Sequence, residues 1–276
     1  MTSAAFKRKI RTFYKKNRRD LPWRPPHLKI RKNGSLDPYA ILISEIMLQQ
    51  TQVPRVIPKY ASFLKRFPSF AALAEAPLSA VLAEWKGLGY NRRALNLKRA
   101  AEIIVKKHHG KLPAGYGELI ALPGIGPNTA GSLLAFAYNI PRPFIETNIR
   151  SVYIHFFFQD KKNIRDIDLL ALIATTLDMK NSREWYYALM DYGAYLKRIG
   201  ENPSRRSAHH ALQSPFKGSH REARSKILAA VLENPRSSIA RIARQSGVPK
   251  DKAAEIATEL LAEGMLRKQG GAYSID

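Results

Sequence analysis

The sequence predicts an all-α fold of many short helices, followed by a small module that contains a β-hairpin. Apolar residues recur three and four positions apart along most of the chain, as Phe6, Ile10 and Phe13 do near the N-terminus. Short connectors with proline or glycine separate these segments, which is typical of helical bundles. Hydrophobic residues make up 45% of the 276 positions, enough for a large core.

Eleven helices are predicted before Gly200, because each segment combines helical spacing with a start or stop signal at its ends. Asp37-Pro38, for example, is a start signal for the second helix. The predicted ranges are residues 4–17, 37–50, 54–67, 69–74, 77–84, 92–108, 115–121, 127–138, 147–157, 166–176 and 182–197.

The composition changes after Gly200. Residues 201–220 are rich in Pro, Ser, Arg and His and have little periodicity, which predicts a basic linker. Helices follow at 222–232, 238–245 and 250–263, and a hairpin joins 265–268 to 272–275. This order predicts a winged helix-turn-helix at 221–276, a module that often binds DNA. The third helix carries Asp251, Glu255, Glu259 and Glu263, which are unfavourable in a DNA groove, so packing or protein contact is an equal alternative.

Charge and composition narrow the class of partner. The chain has 46 Lys and Arg against 22 Asp and Glu, a net charge of +24 spread over segments that are predicted to fold. A polyanion, most simply nucleic acid, is the expected partner. The absence of cysteine excludes disulfides and thiolate-ligated metal or iron–sulfur sites. No apolar stretch has transmembrane length and the basic N-terminus lacks a signal core, so we expect a soluble intracellular protein with no membrane partner.

Residues 122–131, Leu-Pro-Gly-Ile-Gly-Pro-Asn-Thr-Ala-Gly, form the most informative string. Two glycines one residue apart, followed by an apolar run, predict a tight hairpin that leads into a helix. The N–H groups left free at a helix start suit a phosphate. We therefore expect this hairpin to hold a nucleic acid backbone.

Two acidic residues are candidates for chemistry. Glu45 lies among apolar residues, where desolvation would raise its pKa and make it a general acid near neutral pH. Its alternative place is the exposed face of an amphipathic helix. Glu146 follows an apolar step and starts a helix, where plain capping is the alternative, with Thr147 as the N-cap. Together, the two carboxylates could divide acid and electrostatic roles, as in glycosidic bond cleavage.

Several motifs, in this order, resemble those of the helix-hairpin-helix (HhH-GPD) DNA glycosylases, and within them the MutY-like adenine glycosylase branch. The resemblance covers roughly residues 6–197. Its motifs are Leu-Pro-Trp-Arg at 21–24, Glu-Ile-Met-Leu-Gln-Gln-Thr-Gln at 45–52, Gly-Leu-Gly-Tyr at 87–90, Leu-Pro-Gly-Ile-Gly at 122–126 with Thr-Ala-Gly at 129–131, and Ala-Leu-Met-Asp-Tyr-Gly-Ala at 188–194.

The resemblance implies a fold of two helical domains. A six-helix barrel with the hairpin would comprise residues 37–138, and residues 1–36 with 139–200 would form the other domain. The target base would flip out of the duplex into the cleft between them.

The resemblance also implies roles for individual residues. Glu45 matches the acid that protonates the departing base, and Glu146 matches the aspartate that stabilises or attacks the cationic sugar. The base pocket would comprise Leu21, Trp23, Arg24, Asn128 and Tyr187. DNA contacts would come from Gln49, Gln50, Thr51, Leu88, Tyr90, Leu122, Gly124, Gly126, Thr129 and Asn148, with Gln50 and Tyr90 filling or wedging the duplex. The resemblance implies no tightly bound metal, although the hairpin backbone at 122–126 could hold a monovalent cation.

Departures from the family pattern limit this transfer. Glu146 is one methylene longer than the usual aspartate. Asn128 stands where bifunctional relatives have a lysine and cannot form a Schiff base, so we predict base removal without strand cleavage. Tyr187 replaces a polar pocket residue. Lys197 lies near the first cysteine position of the family's iron–sulfur cluster, so neither this cluster nor another cofactor is expected. The basic stretch 197–226 would contact DNA phosphates without a metal scaffold.

The sequence thus predicts a monofunctional DNA glycosylase of base excision repair, acting on a flipped base in double-stranded DNA, with adenine as the first choice. The same scaffold acting on hypoxanthine, uracil, thymine opposite guanine or a damaged base is an alternative, and a non-catalytic DNA-binding protein is another. The winged-helix prediction takes the place of the MutY domain that inspects 8-oxoguanine, so recognition of that lesion does not transfer. A monomer in the cytoplasm, associated with the nucleoid, is expected.

Overall fold

The computed structural model describes residues 1–212 and 214–275, and confirms the predicted all-α fold with its small C-terminal sheet. The helices are α1 (Ser3–Asn17), α2 (Pro38–Leu48), α3 (Val53–Arg66), α4 (Phe70–Glu75), α5 (Leu78–Trp85), α6 (Arg92–His108), α7 (Tyr116–Ile120), α8 (Pro127–Tyr138), α9 (Thr147–Phe157), α10 (Asp166–Thr176), α11 (Ser182–Arg198), α12 (His220–Glu233), α13 (Ile239–Ser246) and α14 (Lys250–Glu263). A 3-10 helix spans Pro203–Arg206, and the strands are β1 (Ser237–Ser238), β2 (Arg267–Gln269) and β3 (Ala272–Ser274).

The chain divides into two compact units. The first comprises Met1–Glu45 and Pro113–Leu212, and the second comprises Ile46–Leu112 and Gln213–Asp276. The division lies within α2, after Glu45. This grouping differs from the predicted boundaries, because α8 packs on α7 and α11 of the first unit and the C-terminal helices belong to the second unit.

The core of the first unit is built where α1, α9 and α11 meet. The ring centroid of Phe6 on α1 lies 5.2 Å from that of Tyr153 on α9 and 5.8 Å from that of Trp185 on α11. Between α9 and α11 the backbones approach so closely that a Cβ on Gly193 would lie 2.4 Å from the Asn148 carbonyl oxygen. Only glycine permits this approach, which fixes the start of α9 against α11.

The second unit combines α3 to α6 with the C-terminal module, residues 220–275. The module has α12, α13 and α14 followed by β2 and β3, and its antiparallel sheet has the order β1-β3-β2. The helices and the hairpin lie where the sequence predicts them, whereas β1 was not predicted because two residues carry no periodic signal. The winged-helix assignment itself stays a prediction.

The predicted linker at 201–220 is partly ordered, which corrects its description as plain linker. Pro203 and Ser204 are buried in the 3-10 helix, and Ser207 forms a parallel bridge with Ile164. Burial of this short segment against α9 supplies the order that its composition does not suggest. Among the described helices, none is both long and apolar enough to cross a membrane.

Candidate active site

Glu45 lies in the last turns of α2, a helix that is apolar on nearly every side. Its side chain is half-buried among fully buried neighbours such as Leu42 and Ile46. Burial raises the pKa of Glu45 to about 7, the charge of Glu146 adds to the rise, and a hydrogen bond with Ser132 opposes it. The alternative of a solvated helix face is therefore wrong for Glu45.

Glu146 caps α9 with its own carboxylate. Its Oε1 accepts hydrogen bonds from the backbone N–H groups of Asn148 (3.0 Å) and Ile149 (3.1 Å), and its Oε2 accepts from Asn148 Nδ2 (3.3 Å). The capping alternative thus had the wrong residue, because Thr147 is already helical and Glu146 is the N-cap. Burial raises the pKa of Glu146, while these hydrogen bonds and the charge of Arg19 oppose the rise.

Asn128 connects the start of α8 to the segment before Glu146. Its exposed side chain accepts a hydrogen bond at Oδ1 from the Ile145 backbone N–H, 3.2 Å away. The amide oxygen that could read a base edge is thus occupied by the chain itself. Asn128 holds the residue next to Glu146 in place, a role that its position in the motif did not reveal.

A buried ion pair lies beside the carboxylates. Arg24 Nη1 donates to both carboxylate oxygens of Asp191, at 2.9 and 3.0 Å, and Arg19 Nε donates to Asp191 Oδ1 at 2.6 Å. Asp191 and Arg24 are each 2% exposed. Sequence reasoning missed Asp191, although an acid within the apolar string 188–194 was a usable signal.

Tyr187 completes this polar patch. Its ring stacks on Phe136 with a centroid distance of 4.7 Å, and the Arg24 guanidinium lies 4.2 Å from its centroid. Burial raises the pKa of Tyr187 and the charge of Glu45 contributes. Within the described part of the chain, Tyr187 Oη and Arg24 Nε are buried without a hydrogen-bond partner. Such atoms are costly unless a ligand satisfies them.

The two other predicted pocket residues, Leu21 and Trp23, are buried in the segment that leads to Arg24. The structure therefore brings Glu146, Arg24 and Tyr187 near Glu45 within the first unit: the charges of Glu146 and Arg24 act on Glu45, and the charge of Glu45 acts on Tyr187. Asn148 joins them through its two hydrogen bonds to Glu146.

The glycine hairpin, residues 122–126, connects α7 to α8. Leu122 and Ile125 are buried, whereas Gly124 and Gly126 are exposed. Gly124 has φ +79°, as predicted for a tight turn, but Gly126 is extended and serves as the N-cap of α8. Exposed backbone at the start of a twelve-residue helix can bind phosphate through its N–H groups, and Thr129 lies in the first turn.

In the second unit, Arg93 organises two segments that hold predicted DNA-binding residues. Its guanidinium donates to the carbonyl oxygens or hydroxyl of Ile46 (2.8 Å), Met47 (3.0 Å), Thr51 (3.0 Å), Leu88 (3.2 Å) and Gly89 (3.0 Å). Burial lowers the pKa of Arg93 to about 10. Sequence reasoning missed Arg93, since a basic residue at a helix start in a basic chain gives no distinctive signal.

The Arg93 contacts join the end of α2, with Gln49 and Gln50, to the loop before α6, with Tyr90. Gln50 and Tyr90 both have left-handed backbones, with φ +53° and +48°. Non-glycine residues rarely adopt this conformation, and where they do it often marks a functional site.

The chemistry of the first-unit site follows from its two carboxyls. Glu45, with a pKa of about 7, can be protonated near neutral pH, while Glu146 is held by two backbone N–H groups that favour its ionised form. Glycosidic bond cleavage uses one protonated and one ionised carboxyl, and these two carboxyls lie in different environments: Glu45 among apolar side chains and Glu146 against backbone N–H groups.

Known proteins are similar to the part of the chain that holds both carboxyls. Residues 43–171, which include both carboxyls, match the model of the family described as HhH-GPD superfamily base excision DNA repair protein. Adenine DNA glycosylase of Buchnera aphidicola subsp. Baizongia pistaciae (strain Bp) is 39% identical over 201 residues, which cover 71% of this chain and 54% of that protein. The chain thus spans about half the length of the curated relatives it matches.

Solved structures show the same fold. A thermostable thymine-DNA glycosylase aligns with a TM-score of 0.60 and 27% identity, covering 70% of this chain and 86% of that one. A non-covalent complex of endonuclease III with DNA aligns with a TM-score of 0.57 and 18% identity, covering 78% of this chain and 91% of that one.

Proposed function

This chain belongs to the HhH-GPD superfamily of base excision DNA repair proteins, in its MutY-like branch, and on that premise we propose that it is a monofunctional DNA glycosylase that removes mispaired adenine from duplex DNA. One observation carries the proposal: a half-buried Glu45 with a pKa of about 7 lies in electrostatic range of the helix-capping Glu146. A protein that only binds DNA has no need of a desolvated acid.

The reaction divides between the two carboxyls. Glu45 donates its proton to a ring nitrogen of the flipped base as the bond between C1′ and the base breaks, and the bonding electrons leave with the base. The carboxylate of Glu146 stabilises the positive charge that develops on the sugar. Water then adds to C1′, and a carboxylate of the pair takes its proton. The products are the free base and an abasic site, with the strand intact because Asn128 offers no amine.

A second candidate substrate is a base with a carbonyl oxygen, such as hypoxanthine, uracil or thymine opposite guanine. The unpartnered hydroxyl of Tyr187 and Nε of Arg24 are both hydrogen-bond donors, and a carbonyl oxygen would accept from them. The similar structure described as a thymine-DNA glycosylase adds weight to this candidate.

Duplex DNA binding is part of the proposal. The net charge of +24 supplies non-specific attraction, and the glycine hairpin would hold one strand, with or without a monovalent cation. Since none of the 276 residues is cysteine, we propose that this core acts without an iron–sulfur cluster or another cofactor. We expect a monomer that works where its substrate lies, on the nucleoid in the cytoplasm.

A panel of duplexes, each with one mispair or lesion, tests this proposal. Each duplex is incubated with the protein and then cleaved with alkali, with a parallel sample left untreated. We expect alkali-dependent cleavage at adenine mispairs and an intact strand without alkali. Turnover confined to another base would replace adenine by the second candidate, and tight binding with no turnover on the whole panel would overturn the enzyme assignment.

A further inference from the structure

The C-terminal module contacts α6 through Glu263, the last residue of α14. Arg92 Nη2 lies 2.7 Å from the Glu263 carboxylate, and Arg99 Nη2 donates to the Glu263 carbonyl oxygen at 3.0 Å. Arg224 on α12 pairs with both Glu259 and Glu263 at 2.6 Å. Glu259 and Glu263 are therefore used in ion pairs within the second unit.

The same module reaches Tyr90, the residue that the family resemblance implies as a duplex wedge. Arg221 on α12 donates from Nη1 to Tyr90 Oη at 2.7 Å, and from Nη2 to the Ser214 carbonyl oxygen at 2.7 Å. Its guanidinium lies 5.6 Å from the centroid of the Tyr90 ring. Arg93 lies at 5.6 Å from the same centroid, so two guanidinium groups and one hydrogen bond fix the ring.

We propose that Arg221 is a positioning residue for Tyr90, through which the C-terminal module sets the aromatic side chain that opens the duplex. This inference rests on the proposed function, since it takes Tyr90 as a residue that enters DNA. It gives the module a task in catalysis without requiring that the module itself read a groove.

The physical reason is preorganisation. A tyrosine that inserts into a base stack must hold one side-chain conformation. An unrestrained tyrosine would lose its rotational freedom only when DNA binds, and this loss would weaken binding. Arg221 restrains the hydroxyl, while the left-handed backbone at Tyr90, with φ +48°, restrains the other end. Hydrogen bonds from a charged donor are the stronger class, so this one can restrain an exposed loop.

A double-mutant cycle on the full chain tests the proposal. The variants are Arg221→Ala, Tyr90→Phe and both together, with Arg244→Ala as a control that removes one exposed positive charge from the same module. The probe is a duplex with a tetrahydrofuran abasic analogue and 2-aminopurine beside it, whose fluorescence rises when the stack opens. No base release is needed, so the test is independent of the substrate assignment.

We expect Arg221→Ala and Tyr90→Phe each to weaken binding to this duplex about tenfold and to reduce the fluorescence rise, with no further loss in the double variant. Arg244→Ala should leave the fluorescence rise unchanged. Additive losses, or a lower salt dependence for Arg221→Ala with a normal fluorescence rise, would show a plain phosphate contact and overturn the inference. A protein that opens the duplex in this pattern but releases no base would overturn the proposed function alone.

Discussion

The charge of Glu146 raises the pKa of Glu45. The first backbone N–H groups of α9 favour the ionised form of Glu146, against the burial that raises its pKa. When Glu146 is charged, it favours the protonated form of Glu45. This relationship joins the two groups into one titrating system, whose apparent pKa values belong to the pair.

The rate of base release should fall at both ends of the pH range, which gives the pH–rate profile an acid limb and an alkaline limb. Glu45 acts in its protonated form, so the single-turnover rate should fall as pH rises above about 7. Glu146 acts in its ionised form, so the rate should also fall as the pH is lowered and Glu146 becomes protonated. Because burial raises the pKa of Glu146, this fall should begin at a higher pH than an ordinary glutamate would give. Single-turnover excision measured from pH 5 to 9 checks this, and a rate that is flat through pH 7 and 8 would argue against Glu45 as the acid.

Replacing Ser132 should move the alkaline limb. The Ser132 hydroxyl forms a hydrogen bond with Glu45 that lowers the pKa of the carboxyl, so Ser132→Ala should raise this pKa and extend activity to higher pH. Ser132 is buried and Ala is slightly smaller, so the fold should persist. The same pH series measures the shift. A limb that moves to lower pH would show that the hydroxyl stabilises the neutral form instead.

Glu45→Gln should stabilise the protein in alkaline solution. The pKa of Glu45 is raised from 4.5 in the unfolded chain to about 7 in the folded one, so ionisation at high pH costs stability. The cost is absent below pH 4.5, grows as pH rises between the two values and is complete above about 7. Glu45→Gln should therefore raise the free energy of unfolding by about 3 kcal/mol at pH 8 and change it little at pH 4.5.

Urea denaturation of both proteins at the two pH values measures this difference. Glu255 is exposed, so Glu255→Gln is the matched control and should leave the free energy of unfolding unchanged at both pH values. An equal effect of Glu45→Gln at both pH values would mean that its charge is not the cause.

Asp191→Asn should destabilise the first unit strongly. The Asp191 carboxylate accepts hydrogen bonds from Arg24 and Arg19, and its loss would leave the buried guanidinium of Arg24 without a counter-charge. Breaking one side of a buried pair costs about 3–5 kcal/mol. Thermal unfolding checks this. Asp168→Asn, which removes an exposed pair with Arg165, should leave the melting temperature unchanged, and an equal effect of the two changes would contradict the role of Asp191.

The helices were predictable because their signals are local. Apolar spacing and caps located α1 to α14 to within a few residues, including the weakly periodic C-terminal module. The glycine hairpin was equally clear, because Gly124 has φ +79° in the turn between α7 and α8 and Gly126 is the N-cap of α8. The partly ordered linker was missed, since its order comes from burial of Pro203 and Ser204 against another segment.

The site was only half predictable, because burial is a property of the fold. Spacing on α2 fits Glu45 on an exposed face as well as in the interior, and only the packed structure decides between them. Asp191 and Arg93 also depend on partners that are distant in sequence: Arg24 lies 167 positions from Asp191, and Ile46 lies 47 positions from Arg93. The resemblance to a family supplied what local patterns could not, since it relates residues that are distant in sequence.

The most direct test of the central claim is single-turnover excision by Glu45→Gln beside the unaltered protein, on whichever duplex the panel identifies. Gln keeps the shape of the side chain but has no proton to give to the departing base. We predict that base release falls by about 10²–10⁴-fold while affinity for the duplex stays within a factor of about two. Release at the original rate by a folded Glu45→Gln protein would contradict the account.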